Sequence, residues 1–371
     1  MKTKKLIILS VISSIIFSSC KNTEQMGMRE AFKDKFLIGT AINVRQLHSK
    51  DEKLHTLIKE EFSSLVAENC MKMESLQPQE GQFNFTNADR LVELAESNGQ
   101  ALIGHCLVWH SQAPKWFFHD KDGKEVSREV LISRLKNHIQ GVVGHFKGKV
   151  KGWDVVNEAI MEDGSLRKSY YYKIIGPEFI RMAFEFAHEA DPDAELYYND
   201  YNMDFPGKRE GVVRLIRELK SNGVRIDAVG MQSHVSFNTS LSEYEKSITT
   251  FANEGVNVMV TELDLSVLPW PHGNYGAAVE TNINYEERMN PYKNGLTKEM
   301  MDKQTAFYTN LFKIYLRHSD KISRVTFWGI SDGDSWKNDW PVRGRTDYPL
   351  AFDRNYNAKP FVKDIIKLVR K

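Results

Sequence analysis

The sequence predicts a single-domain α/β protein, a TIM (β/α)8 barrel, and three observations carry that prediction. From about residue 30 to the carboxyl end, eight short apolar runs alternate with longer amphipathic stretches. Each run ends on a polar or aromatic group, as strands do where they open onto the working face of such a barrel. No repeat, low-complexity run or Pro/Ser linker divides the 371 residues. A doubly wound open sheet is the alternative, but the glycine-rich nucleotide turn it would carry after its first strand is missing.

Taken in order, the chain opens with an export segment over residues 1–20. Lys2, Lys4 and Lys5 form a basic start, and Leu6 to Phe17 an apolar run too short and serine-interrupted for a comfortable membrane span. Ser18-Ser19-Cys20 resembles a bacterial lipoprotein cleavage site, with Cys20 as the lipidated residue and Phe17 in place of the more usual Leu. An ordinary signal peptide cut near Cys20 is the alternative, and both readings export the protein. In the lipoprotein reading residues 21–29 are a polar tether. The barrel, residues 30–371, is then held at the outer membrane, on its periplasmic or cell-surface face.

The strand candidates are 36–43, 62–69, 100–105, 151–158, 195–200, 226–232, 256–264 and 322–328. Helical spacing places helices over 87–97, 128–145, 179–190, 211–220, 241–254, 300–318 and 360–370. Their stops are legible: Asn98-Gly99, Asp191-Pro192, Asn222-Gly223 and Gly255 each end a periodic stretch. The irregular region is 267–296, rich in Pro, Gly, Asn and Tyr, and a loop of that length is more often functional than a bare connection.

Composition narrows the partners. The formal charge of +1 with histidines neutral, spread along the chain, gives no nucleic-acid footprint. Cys70 and Cys106, both in strand-like segments, read as two buried thiols or as a bridge between neighbouring strands. No Cys/His spacing matches a structural metal site.

The chemistry is in the strand endings. These are Asn43, Glu68-Asn69, His105, Asn157-Glu158, Asn199-Asp200, Gln232-Ser233-His234, Glu262-Leu263-Asp264 and Trp328. Strand ends become polar on leaving any core, which accounts for some of these singly but poorly for so many amides, His and Trp together. Glycoside hydrolysis needs two carboxyl groups flanking the scissile bond, one protonated and one ionised. Glu158 fits the acid, kept protonated by enclosure and by repulsion from an ionised partner. Glu262 fits the nucleophile. Asp264, two residues on, shares its side of the strand, so a Glu262–His234–Asp264 chain would orient the nucleophile. Asn157 would contact a sugar hydroxyl at the transition state.

Trp153-Asp-Val-Val-Asn-Glu-Ala159 and Thr261-Glu-Leu-Asp264 resemble the acid and nucleophile strands of family 10 glycoside hydrolases, the xylanases. Glu68–Lys72, His105–His110, Tyr198–Asn202, Gln232–His234, Trp328 and Trp336 are similar to further family motifs, in the family's order. The resemblance implies an endo-acting enzyme cleaving β-1,4 bonds of xylan or xylo-oligosaccharides with retention and no cofactor, working as a monomer. It implies that Glu68, Asn69 and Lys72 bind the sugar on the non-reducing side. His105, Trp109, Asn157, Gln232 and His234 would surround the sugar being cleaved, with Trp328 and Trp336 as its apolar wall. Core packing is the reading for Trp153 and Trp116. Retention implies carboxyl groups about 5–5.5 Å apart.

Two features depart from the family pattern. Met73 stands where an aromatic is usual, and the 267–296 loop is long, offering Trp270, Tyr275, Tyr285 and Tyr292 to the leaving-group side. Three rival readings remain: a retaining β-1,4-glucanase, a non-catalytic surface glycan-binding lipoprotein, and a metal-dependent barrel hydrolase using His105, His110 and His234. None of those three histidines stands in the His-x-His or Glu-x-x-His spacing such sites use.

Overall fold

The computed structural model describes residues 26–271 and 283–370. Residues 1–25, which hold the predicted export segment with Cys20 and the start of the predicted tether, and Tyr275 lie outside the described residues. Nine strands are found among the described residues: β1 (Leu37–Ile42), β2 (Ser64–Ala67), β3 (Ala101–Trp109), β4 (Gly152–Asn157), β5 (Glu195–Asp200), β6 (Ala228–Met231), the short β7 (His234–Val235), β8 (Asn257–Leu265) and β9 (Ile322–Phe327). Eight of them pair in parallel in the order β6-β5-β4-β3-β2-β1-β9-β8, and β6 pairs with β8 to close the ring. Parallel neighbours need crossover connections, and the helices that supply them bury the strands' outer face. This is why the strands read as continuous apolar runs rather than as alternating ones. Inside the ring, Ala41, Val66, Ile103, Tyr197, Ala228, Met259 and Trp328 form a core of their own.

Helices 128–145 and 179–190 fall where their periodicity predicts, the first capped by the Ser127 hydroxyl accepting from the Val130 amide. Helix Pro206–Ser221 starts five residues ahead of the predicted Gly211. Its first turn carries Lys208 and Arg209, charged yet buried, so hydrophobic periodicity could not reveal it. Helix Glu52–Glu61 was absent from the sequence reading for a similar reason. Only Leu54, Leu57 and Ile58 are buried on it, behind an Asp51 cap.

Three further boundaries are corrected. β3 runs past His105 to Trp109. Cys70 lies in a turn after β2, not in a strand, and both cysteines are buried free thiols rather than a bridge. The packed body begins before residue 30: Met28 is buried, and its amide donates to the Glu61 carboxylate at 2.8 Å. The described part of the long loop is also less loose than its composition predicts. Met289 and Asn290 are buried, and Asn290 accepts a hydrogen bond from the Thr346 amide at 3.0 Å.

Candidate active site

The carboxyl ends of the strands surround a cleft of about 500 Å³. Glu68, Asn69, Lys72, His105, Trp109, Asn157, Glu158, Gln232, His234, Glu262, Trp328 and Trp336 all line it. Asp264 sits directly behind, with no exposed surface. The sequence-predicted site residues therefore converge on one place.

Irregularities in the ladder aim these side chains. Register shifts fall between His105 and Val108 against β4, between Asp154 and Val156 against β5, and between Val260 and Leu263 against β9. Such bulges re-aim residues beside active sites. Glu158 follows β4 with a φ of 59°, in the left-handed region that costs a side-chain-bearing residue about 1–3 kcal/mol. The turn is held by the Asn199 carbonyl, which accepts from the Glu158 amide at 2.9 Å, and by Arg167, whose Nε donates to the Glu158 carbonyl at 2.8 Å.

The two glutamates sit in opposite environments. Glu158 Oε2 accepts from Trp109 Nε1 at 2.8 Å, and Oε1 accepts from Gln232 Nε2 at 2.9 Å. Its carboxyl is nonetheless pushed up, first by burial and then by the charge of Asp200, with Glu262 a smaller contributor. The expected enclosure and repulsion from Glu262 both act on Glu158, and Asp200 adds a larger repulsion than Glu262. Glu262 is held below its ordinary value. Burial pushes it up most, but the His234 hydrogen bond, the positive fields of His105 and His234 and the Asn199 amide together outweigh burial.

Behind Glu262 the predicted chain is present. His234 Nε2 lies 3.3 Å from Glu262 Oε2, and Nδ1 lies 2.9 Å from Asp264 Oδ2. Burial lowers the His234 pKa, yet the Asp264 charge and the two hydrogen bonds lift it to about 9. The imidazole is thus a cation at neutral pH and donates from both nitrogens. Asp264 is locked further by Trp336 Nε1 at 2.9 Å and by Lys337 Nζ at 3.4 Å. His105 is oriented likewise, with Nδ1 2.9 Å from Asp154, whose other oxygen lies 3.7 Å from Arg324 inside the barrel. Trp328 packs edge-on against His105, the ring centroids 5.3 Å apart.

A relay of amides joins the two carboxyl groups. Asn157 Oδ1 accepts from Gln232 Nε2 at 3.2 Å and from Asn199 Nδ2 at 3.0 Å, and Asn199 Nδ2 also donates to Glu262 Oε1 at 2.8 Å. With its oxygen so used, Asn157 has its amide nitrogen to offer a ligand. Asn199 is fixed in turn by the Thr261 hydroxyl, 2.6 Å from its Oδ1. A Cβ at position 230 would come within 2.4 Å of that oxygen, so Gly230 makes the room Asn199 occupies. At the opposite end, Lys72 donates to Asn69 and Gln112, each at 2.9 Å, with its ammonium 4.8 Å from the Trp109 ring centre. Burial lowers its pKa and pushes the Glu68 carboxyl up.

Sequence reasoning placed Asn199 among the polar strand endings without a role, and missed Lys337, Trp340 and Gln112, which line the cleft. Asn199 was open to discovery: it lies two residues beyond Tyr197, which faces the barrel interior, and so shares that face. Of the loop aromatics, Trp270 lines the cleft and packs on Trp340 at 5.7 Å, which stacks on Trp336 at 4.9 Å. Tyr285 and Tyr292 do not line it. Met73 is buried, accepting from the Tyr171 hydroxyl at 3.8 Å, and does not line the cleft. Trp153 is core, as predicted, and Trp116, half-buried beneath Arg134, packs against that core. Among the described residues no cluster of three His, Cys, Asp or Glu side chains could hold a metal ion.

The model of glycosyl hydrolase family 10 matches residues 27–368. The chain belongs to that family. As a family 10 protein it is 55% identical over 345 residues to endo-1,4-beta-xylanase A of Xylanibacter ruminicola, covering 93% of this chain and 94% of that one. It is 40% identical over 342 residues to exoglucanase XynX of Acetivibrio thermocellus, covering 90% of this chain and 28% of that much longer protein. Among solved structures, a family 10 endoxylanase retrieved from a sugarcane soil metagenome superposes with a TM-score of 0.89 at 45% identity. That match covers 92% of this chain and 100% of the other. Eight parallel strands ringed by helices are the architecture this family 10 chain shares with that structure.

Proposed function

We propose that this protein is a retaining endo-1,4-β-xylanase in which Glu158 is the acid/base and Glu262 the nucleophile. Glu262 attacks the anomeric carbon while Glu158 passes its proton to the departing glycosidic oxygen, leaving a glycosyl-enzyme ester. Glu158, now ionised, takes a proton from water as that water attacks the same carbon and frees Glu262. The single observation that carries the assignment is the divergence of the two environments. One buried carboxyl is pushed up beside Asp200 and the other held down by a cationic His234. His234 and Asp264 orient the nucleophile. Asn157 and Gln232 meet the sugar at the point of cleavage, Lys72, Asn69 and Glu68 its non-reducing neighbour, and Trp328 and Trp336 its apolar face. The xylanase names carried by close relatives support xylan as the substrate.

The test is reducing-sugar release from xylan and from a soluble β-1,4-glucan, with the anomer of the first product read by NMR. Preference for xylan and initial release of the β-anomer are expected. Preference for glucan would transfer the activity to the rival glucanase reading, which the exoglucanase relative keeps open. Inactivity on both with bound glycan would favour the non-catalytic reading. The proposal extends to an exported monomer anchored at the outer membrane by a lipid on Cys20, supported by the small residues before that cysteine.

A further inference from the structure

Asp200 ends β5 and does not line the cleft; it has no exposed surface. Its Oδ1 lies 2.8 Å from Lys208 Nζ, and both side chains are fully buried. Taking two charges out of water is costly, and a neutral pair of similar shape is often as stable. A buried ion pair next in sequence to Asn199, a member of the reacting centre's hydrogen-bond network, therefore asks for a use.

Its contacts form a closed circuit around the Glu158 turn. Asp200 Oδ2 accepts from the Ile160 amide at 3.3 Å and from the Tyr198 hydroxyl at 2.5 Å, and that same hydroxyl oxygen accepts from the Ala159 amide at 3.0 Å. On the other side, the Lys208 ammonium stands 3.5 Å over the Tyr201 ring. The Tyr201 hydroxyl accepts from Arg167 Nη2 at 2.9 Å, and Arg167 Nε returns to the Glu158 carbonyl at 2.8 Å. The Ala159 and Ile160 amides are caught by this ring, and the Glu158 and Ala159 carbonyls by Arg167 through its Nε and its backbone amide. Here the left-handed backbone of Glu158 is over-determined by its surroundings.

We propose that Asp200, anchored by Lys208, is a positioning residue that clamps the turn bearing the proton donor Glu158. The inference rests on the reading of Glu158 as the acid. The charged and titratable groups around that carboxyl are Asp200 from β5, Glu262 from β8, Cys106 from β3, Arg167 on the turn, Lys72, and His110 with Nδ1 at 4.0 Å. Of these, Asp200 raises the Glu158 pKa most, after burial. Removing its charge moves Glu158 down. Burial pushes the Asp200 carboxyl up and Lys208 opposes that rise, so the pair works as one device.

The experiment compares two leaving groups. Aryl xylobiosides with a dinitrophenolate leaving group need little proton donation, while xylotetraose and phenyl xylobioside need it fully. In Asp200→Asn, kcat/KM on the demanding substrates falls about tenfold more than on the dinitrophenyl one, and the alkaline limb of the pH profile moves to lower pH. Equal losses on both substrates with an unmoved limb would reduce Asp200 to a structural residue and overturn the proposal. Because Asp200→Asn leaves Lys208 unpaired, Asp200→Asn/Lys208→Met is measured beside it, with the same split expected. Should both fail to fold, Arg167→Gln cuts the circuit while sparing the ion pair and carries the leaving-group comparison alone, because it also removes a positive charge near Glu158. Glu158→Ala is the benchmark. If it shows no leaving-group split, the acid reading itself fails; if it shows one and the clamp variants do not, only the clamp falls.

Discussion

Replacing His234 by alanine removes the cation that holds Glu262 ionised, and the structure sets the scale of the loss. The imidazolium donates to Glu262 at 3.3 Å and to Asp264 at 2.9 Å. A hydrogen bond between charged groups contributes about 1.5–3 kcal/mol, and the length of the Glu262 contact argues for the lower end. At 1.36 kcal/mol per decade, kcat/KM should fall about 10- to 100-fold at neutral pH. The sign of the pH effect is equally definite. Glu262 must be ionised to attack, and without the His234 hydrogen bond and charge its pKa rises, so the acidic limb of the kcat/KM profile moves to higher pH. Stability carries a second signature. Lifting His234 from 6.5 to about 9 on folding is worth about 3 kcal/mol. That contribution is complete below the unfolded value of about 6.5 and is lost as pH rises through about 9. Urea melts from pH 6 to 10 should therefore show a decline in the wild type that His234→Ala lacks. The assay is hydrolysis of an activated aryl xylobioside over the same enzymes and a wide pH range. An acidic limb unchanged in His234→Ala would refute the electrostatic account of the nucleophile.

Three other outcomes are expected. Asn199→Ala strips an amide donor from Glu262 and leaves the Thr261 hydroxyl unpaired, so a thermal or urea melt should show a loss of about 1–3 kcal/mol together with reduced kcat. Trp270→Ala removes the outer ring of the Trp336–Trp340–Trp270 stack. It should raise KM on long xylan about two- to tenfold and shift product lengths, while sparing short activated glycosides. Unchanged products from long xylan would discard a substrate role for the loop. Cys20→Ser should release the protein from the membrane fraction, as followed by fractionation and mass spectrometry of the mature amino terminus. Retention there would remove the lipid anchor from the account.

The parts of the site that were legible share one property: they end strands. Asn157-Glu158 and Glu262-Leu263-Asp264 stand out because an apolar run buried on both faces stops on groups that a core cannot house. What stayed illegible is polar material buried behind them. Lys208 and Arg209 read as a solvated helix start, yet both are buried, paired with the buried Asp200 and with Glu243 at the surface. Nothing local in Asp200 says that it reaches the turn after a neighbouring strand. Lys337 and Asp264 are 73 positions apart, and only closure of the ring brings them within 3.4 Å. Helix Glu52–Glu61 shows the same limit for the fold, since a polar stretch with three buried apolar residues gives a weak periodic signal. Strand identity was thus encoded by local hydrophobicity, whereas the supports of the reacting groups were encoded by contacts across the barrel.

The central claim is the division of labour between the two glutamates, and azide tests it most directly. In Glu262→Gly the cavity left by the carboxylate admits azide, which attacks an activated β-xylobioside from the face the nucleophile used. The account predicts near-total loss of xylan hydrolysis and azide-dependent formation of the α-xylobiosyl azide, identified by NMR. Near-normal hydrolysis by Glu262→Gly, or a β-azide as its product, would contradict it.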